Sequence, residues 1–180
     1  MEQALAIRAH PITEHAMPLA GARQSGAPVP VFYLEPQQLT GPDPLSSAVQ
    51  TNWVYPVMAG GEPGLVDIRP ADNESVSEFG GIYYGLLARR VGESVQLAQL
   101  AVGENNMAFQ LRLLQMPELD FAALWLKGRN EDYFISLFEG RPPGTATLQL
   151  QGDVLAELRE QAAHRFASVD ELDPDGTPTN

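Results

Sequence analysis

The pattern of apolar positions is clearest near the middle of the second half of the chain. In 121–127, Leu124 and Leu126 share one face of an extended chain with Ala122, while Trp125 and Lys127 share the other with Ala123. In 132–138, Tyr133, Ile135 and Leu137 oppose Phe134, Ser136 and Phe138, and 128–131 between the two stretches has the Gly/Asn composition of a turn. The pattern predicts an antiparallel hairpin.

The preceding segment predicts a second hairpin. An apolar stretch at 95–102 is followed by Gly103-Glu104-Asn105-Asn106 and then by 107–116, where Phe109, Leu111 and Leu113 alternate with Gln110, Arg112 and Leu114. Together the two hairpins predict a four-stranded antiparallel meander.

A helix is expected before this meander, over 76–91. Ser75 and Glu78 have the spacing of a capping box, and Gly92 is suited to the end of a helix. Three glycines inside the segment weaken the prediction, since each costs about 1 kcal/mol against alanine in a helix. The alternative is a strand over 81–87.

A second helix is expected near the C-terminus. It begins at Asp153 and ends near Ser168, because apolar residues recur there at helical spacing. The residues that it would bury are Val154, Leu155, Leu158, Ala162 and Phe166.

Proline sets the first part of the chain apart. Ten of the 15 prolines precede residue 71, and many of these lie in the first 45 residues. Proline lacks a backbone donor, so 1–45 is predicted to be an extended or partly disordered arm, with 29–34 an edge strand at best. Strand-like stretches at 51–55 and 65–68, separated by the turn composition of 59–64, predict an accessory hairpin.

These elements predict an α+β fold: a helix, a four-stranded antiparallel meander and a C-terminal helix, preceded by a proline-rich N-terminal arm and an accessory hairpin. The predicted organisation is an arm over 1–45, one α+β domain over 46–168 and an acidic disordered tail over 169–180.

Charge narrows the range of partners. The chain has 180 residues, 23 Asp and Glu against 11 Lys and Arg, and a formal net charge of −12. Such a chain repels phosphate backbones and anionic lipids, so we expect no nucleic acid and no membrane among its partners. The first ten residues have no apolar core of the signal-peptide kind, which predicts a cytoplasmic protein.

No motif in the sequence predicts a catalytic or metal site. Cysteine is absent, and His10 and His15 are separated by a proline rather than by the spacing of a helix or turn. The acidic tail around Gly176 ends before the glutamate of a calcium loop. We therefore expect no cofactor and no metal, and catalysis is the less favoured class of activity.

Five residues are candidates for binding a partner or ligand. Arg89 and Arg90 are the only adjacent cations and could hold an anionic group, while Trp53, Tyr55 and Trp125 could form an aromatic contact surface. The favoured hypothesis is a non-catalytic protein–protein interaction or adaptor domain with a basic partner. The alternatives are a small-ligand-binding protein or enzyme with a pocket between the sheet and the 76–91 helix, and a subunit of a larger assembly.

Overall fold

A nine-stranded, mostly antiparallel sheet organises the chain, which was analysed as a computed structural model. The structure describes residues 23–70, 77–105, 108–137 and 147–170. The strands follow the spatial order β5-β4-β3-β2-β6-β7-β8-β9, and β1 pairs with β3. They are β1 (Arg23–Gln24), β2 (Val29–Tyr33), β3 (Val49–Ala59), β4 (Glu62–Pro70), β5 (Ser77–Tyr84), β6 (Gln110–Met116), β7 (Phe121–Lys127), β8 (Tyr133–Ser136) and β9 (Gln149–Leu150).

Two helices and three 3₁₀ turns complete the described part of the chain. Helix α1 spans Leu86–Asn105 and helix α2 spans Gln151–Asp170; the 3₁₀ turns are Pro36–Thr40, Pro44–Ser47 and Pro117–Leu119. Helix α1 packs on one face of the sheet through Ala88, Val91 and Ala98. A second hydrophobic cluster lies where α2 and the 3₁₀ turns pack on β6, β7 and β8. The helix and the turns contribute Leu39, Leu45, Leu119, Val154, Leu155 and Leu158 to it.

The hairpin predicted from 51–55 and 65–68 is formed by β3 and β4. Its turn is Gly60-Gly61, whose φ angles of 61° and 87° lie in the left-handed region that favours glycine. A two-residue loop with positive φ at both positions matches the twist of the flanking strands. The hairpin is longer than predicted and forms part of the main sheet.

Strand β2 lies between β3 and β6, although its prolines predict at best an edge strand. It pairs antiparallel with β3 and parallel with β6, and the parallel pairing extends only from Val31 to Tyr33. Pro30 lies before this stretch, so no hydrogen bond to β6 requires the N–H that proline lacks. The strand therefore tolerates proline in the interior of the sheet.

The helix predicted over 76–91 is wrong in its first half. Residues 77–84 form β5, paired antiparallel with β4, and α1 begins only at Leu86. Gly81 and Gly85 have φ angles of 151° and 90°, outside the right-handed helical region. The pairing shifts register between Asp67 and Ile68, so Gly80 is an extra residue opposite the buried Asp67.

The predicted four-stranded meander is also wrong. Residues 95–102, predicted as its first strand, belong to α1, where Ala88, Val91, Val95 and Ala98 pack on the sheet at helical spacing. Strand β6 pairs with β7 and, in parallel, with β2, so the sheet is mixed and much larger than a meander.

The hairpin predicted over 121–138 and the C-terminal helix are confirmed. Strands β7 and β8 pair antiparallel with Trp125 opposite Phe134. Helix α2 buries Val154, Leu155 and Leu158, but Phe166 is 41% exposed, so the predicted apolar face ends one turn early. The first 22 residues of the predicted arm, and the predicted tail from residue 171, lie outside the described residues.

Candidate functional site

A cleft runs between α2 and the chain that leads into β7. It contains a cavity of about 170 Å³, called the inner cavity, next to a wider groove of about 590 Å³ along the helix. Leu119, Glu157 and Gln161 line both parts. The cavity is smaller than the range of about 300–1,000 Å³ typical of sites for drug-sized ligands, so it suits a single side chain rather than a cofactor.

The cavity is lined by both apolar and polar side chains. Leu119, Phe121, Val154 and Leu158 form the apolar part. The polar side chains come from the turn before β7, from β8, from β9 and from α2: Asp120, Ser136, Gln149, Glu157 and Gln161. A cavity of this kind can hold an aliphatic stem against its apolar side chains while its polar side chains contact a polar head group.

Local backbone structure places the carboxylates at the cleft. Asp120 ends the Pro117–Leu119 turn with φ 51° and ψ 33°, a left-handed conformation that aspartate adopts more readily than most residues. On α2, burial of Val154 and Leu158 against the sheet fixes the rotation of the helix. Glu157 is adjacent to this buried face, and it therefore borders the cleft while remaining exposed.

The described residues that line the cleft carry more negative than positive charge. Among them, Asp120, Glu157 and Glu160 contribute three carboxylates, and Arg165 contributes one guanidinium. Arg165 Nη1 lies 2.8 Å from Asp120 Oδ2, and both side chains are more than half exposed. His164 lies on the same side of α2, with Nε2 at 3.9 Å from a Glu160 oxygen. A cationic group is the complement of this surface.

The residues predicted for binding lie at three separate places. Arg89 is exposed on α1, whereas Arg90 donates a hydrogen bond from Nη1 to the carbonyl oxygen of Leu137 at the end of β8. Trp53 packs on a small cluster on β3 and β4 that contains Tyr55, which is 8% exposed and whose phenol has a pKa raised by burial. Trp125 is 1% exposed under α2. The structure does not bring these five side chains together.

Trp125 belongs to a buried polar cluster centred on Asp132. The Asp132 carboxylate, 2% exposed, accepts hydrogen bonds from Trp125 Nε1 at 2.8 Å, Lys127 Nζ at 2.9 Å and the Gly128 N–H at 3.1 Å. The Arg112 guanidinium lies 4.7 Å from the Phe32 ring centre and 4.8 Å from that of Trp125. Burial lowers the pKa of Arg112, while the charge of Asp132 opposes this shift. The cluster joins β6, β7 and the turn before β8.

A second buried carboxylate, Asp67, is also engaged within the sheet. It accepts hydrogen bonds from Asn52 Nδ2 and, at 3.2 Å, from Arg69 Nε. Across the described ranges, no group of three His, Asp or Glu side chains is placed to hold a metal ion. Neither α1 nor α2, as far as they are described, has the length and apolar character needed to cross a membrane.

The cleft residues are absent from the sequence-based candidates. Their signal is the spacing of Glu157, Gln161 and His164, which places three polar side chains along one side of the C-terminal helix. Asp120 gives no such signal, because only the packing of α2 brings it near Glu157. Comparisons of the chain with protein-family models, with curated proteins and with solved structures found no match.

Proposed function

We propose that the chain is a non-catalytic protein–protein interaction domain with a basic partner, and that the α2 cleft is where the partner binds. The observation that supports this most directly is the cleft itself, where, among the described lining residues, the carboxylates of Asp120, Glu157 and Glu160 outnumber the guanidinium of Arg165 beside apolar side chains. Excess negative charge beside a concave apolar surface favours a partner with cationic side chains.

The electrostatic part of this proposal predicts a strong dependence on salt. The net charge of −12 accelerates encounter with a basic protein, while the cleft carboxylates determine where it binds. Raising the ionic strength from about 0.1 M to about 1 M shortens the Debye length from about 10 Å to about 3 Å. Binding that depends on charge should weaken steeply over that range.

Selection from a random-sequence peptide library tests the proposal, because every side-chain chemistry competes for the chain in one experiment. The immobilised chain is expected to enrich peptides that contain more Arg and Lys than the starting library. The enriched peptides should lose affinity as salt is raised, as measured by fluorescence anisotropy. Enrichment with no excess of basic residues, or binding that is insensitive to salt, would refute the proposal.

Two matched double variants separate the cleft from the total charge. Glu157→Gln with Glu160→Gln removes two charges from the cleft, and Glu62→Gln with Glu78→Gln removes two exposed charges from β4 and β5. Both double variants change the net charge equally. The cleft variant should weaken binding of the selected peptides roughly two- to fivefold more than the control does, the range of partly exposed charge pairs. Equal effects would show that the cleft is not the binding site.

A ligand pocket between the sheet and a 76–91 helix is not proposed, because residues 77–84 form strand β5 rather than a helix. A cytoplasmic location, and the exclusion of nucleic acid from the partners, stay predictions from the sequence.

A further inference from the structure

The inner cavity of the cleft has the size of one side chain. Its volume of about 170 Å³ corresponds to about five or six water molecules at roughly 30 Å³ each. Its lining includes Leu119, Val154 and Leu158, all buried in the core. The same lining includes the carboxylates of Asp120 and Glu157. This combination of apolar surface and negative charge fits a long side chain with an apolar stem and a cationic head.

The polar groups around the mouth favour a planar cation with several donors. The cavity lining contains the carboxylates of Asp120 and Glu157. It also contains Gln149 and Gln161, whose side-chain amide oxygens can accept hydrogen bonds. A guanidinium offers five N–H donors in one plane, and can therefore contact acceptors on two sides. An ammonium is a compact point charge that retains its water more strongly.

The chain itself already places a guanidinium on one of these carboxylates. Arg165, which lines the groove and is 45 residues away in sequence, lies with Nη1 2.8 Å from Asp120 Oδ2. The Asp120 side chain is 82% exposed, so its carboxylate is accessible to a guanidinium. The contact also makes Arg165 a competitor for any arginine supplied by a partner.

We infer that the inner cavity receives an arginine side chain of the basic partner, with its guanidinium between Asp120 and Glu157 and its stem on Leu119 and Val154. This inference rests on the proposed function and adds the residue type that is recognised. The ion pair between Arg165 and Asp120 opens when the partner binds.

The test uses N-acetyl-arginine amide as the probe, with N-acetyl-lysine amide and N-acetyl-citrulline amide for comparison. Citrulline has nearly the shape of arginine but carries no charge. Binding is followed by ¹⁵N–¹H NMR shifts of the side-chain amides of Gln149 and Gln161 and of the Asp120 backbone amide. For one side chain we expect Kd in the millimolar range, about −4 kcal/mol, with citrulline giving no saturable shift.

Substitutions at the cavity should change this affinity in opposite directions. Glu157→Gln should weaken binding of the arginine probe roughly two- to fivefold, and Arg165→Gln should strengthen it by a similar factor because Asp120 is released. Arg129→Gln is the matched control for Arg165→Gln, since it removes one exposed cation from the turn between β7 and β8. It should leave the affinity unchanged. Resonances remote from the cleft show whether each variant is folded.

The outcomes separate this inference from the proposed function. Equal binding of lysine and arginine probes, or insensitivity to Glu157→Gln, would overturn the inference. If selected basic peptides still bind the cleft in a salt-dependent way in that case, the proposed function survives alone. If basic peptides also fail to bind, both are wrong.

Discussion

Removing the carboxylate of Asp132 is predicted to destabilise the fold strongly, because this one buried group accepts three hydrogen bonds. In Asp132→Ala the indole N–H of Trp125, which is 1% exposed, loses its acceptor at 2.8 Å. The Gly128 N–H and the Lys127 ammonium lose theirs as well. The turn between β7 and β8 would then lose the carboxylate that joins it to β7.

The magnitude follows from the burial of each partner. A buried donor left without an acceptor costs about 1–3 kcal/mol. The Lys127 side chain is 41% exposed, so its ion pair contributes in the surface range of about 0.2–1 kcal/mol. With the hydrogen bond to Gly128, the expected loss is about 3–5 kcal/mol, comparable with breaking other buried charged pairs. For a chain of this size that lowers Tm by about 6–20 °C.

Urea denaturation followed by tryptophan fluorescence measures this loss directly. Asp132→Asn is the conservative variant, since its amide oxygen still accepts one hydrogen bond, and it should lose about half as much stability. Lys127→Met removes only the exposed partner and should cost less than about 1 kcal/mol. An Asp132→Ala protein within about 0.5 kcal/mol of wild type would refute the reasoning, because surface substitutions typically have effects of that size.

Two further predictions concern glycine and tyrosine. A Cβ on Gly80 would overlap with Asp67 Oδ2, so Gly80→Ala should lower the free energy of unfolding by about 1–3 kcal/mol, as measured by thermal denaturation. In α1 nothing lies within 4 Å of a Cβ on Gly92, so Gly92→Ala should raise it by about 0.4–1 kcal/mol. The reverse order of stability would contradict the packing argument. The hydrogen bond from Tyr33 to Glu118 raises the pKa of Tyr33 to about 12 from 10.0. The stability that this bond contributes is therefore complete below pH 10 and is lost as the pH rises toward 12. Ultraviolet titration curves of the wild type and of Tyr33→Phe should differ by one tyrosine that ionises near pH 12. If the tyrosine lost in Tyr33→Phe is instead one that ionises near pH 10, the shift is excluded.

The parts of the fold that the sequence predicted correctly are those that local signals determine. Strands β7 and β8 are short apolar stretches joined by a short turn, so both the strands and their pairing are visible within 16 residues. Helix α2 repeats its apolar residues at helical spacing over two turns. In each case the neighbours that bury the apolar face do not alter the local preference.

The errors occur where contacts distant in sequence override local preference. The spacing of Ser75 and Glu78 favoured a helix over 76–91 in spite of its glycines, but Gly80 is required in β5 because the Asp67 carboxylate occupies the space of a Cβ. The parallel pairing of β2 with β6 joins Val31 to Leu113, and no local pattern predicts it. Helix α1 buries small residues such as Ala88 and Ala98, which contrast little with their polar neighbours.

The cleft illustrates the same limit for function. In the net charge, the carboxylates of Glu62 and Glu157 count equally. In the structure Glu62 lies beside the turn between β3 and β4, whereas Glu157 lines a cavity together with Asp120 and several apolar side chains. The free energy of a cation depends on the carboxylates within about one Debye length and on how much water separates them. A sum over the sequence therefore predicts the sign of the partner's charge, and only the docking of α2 determines which acids could recognise it.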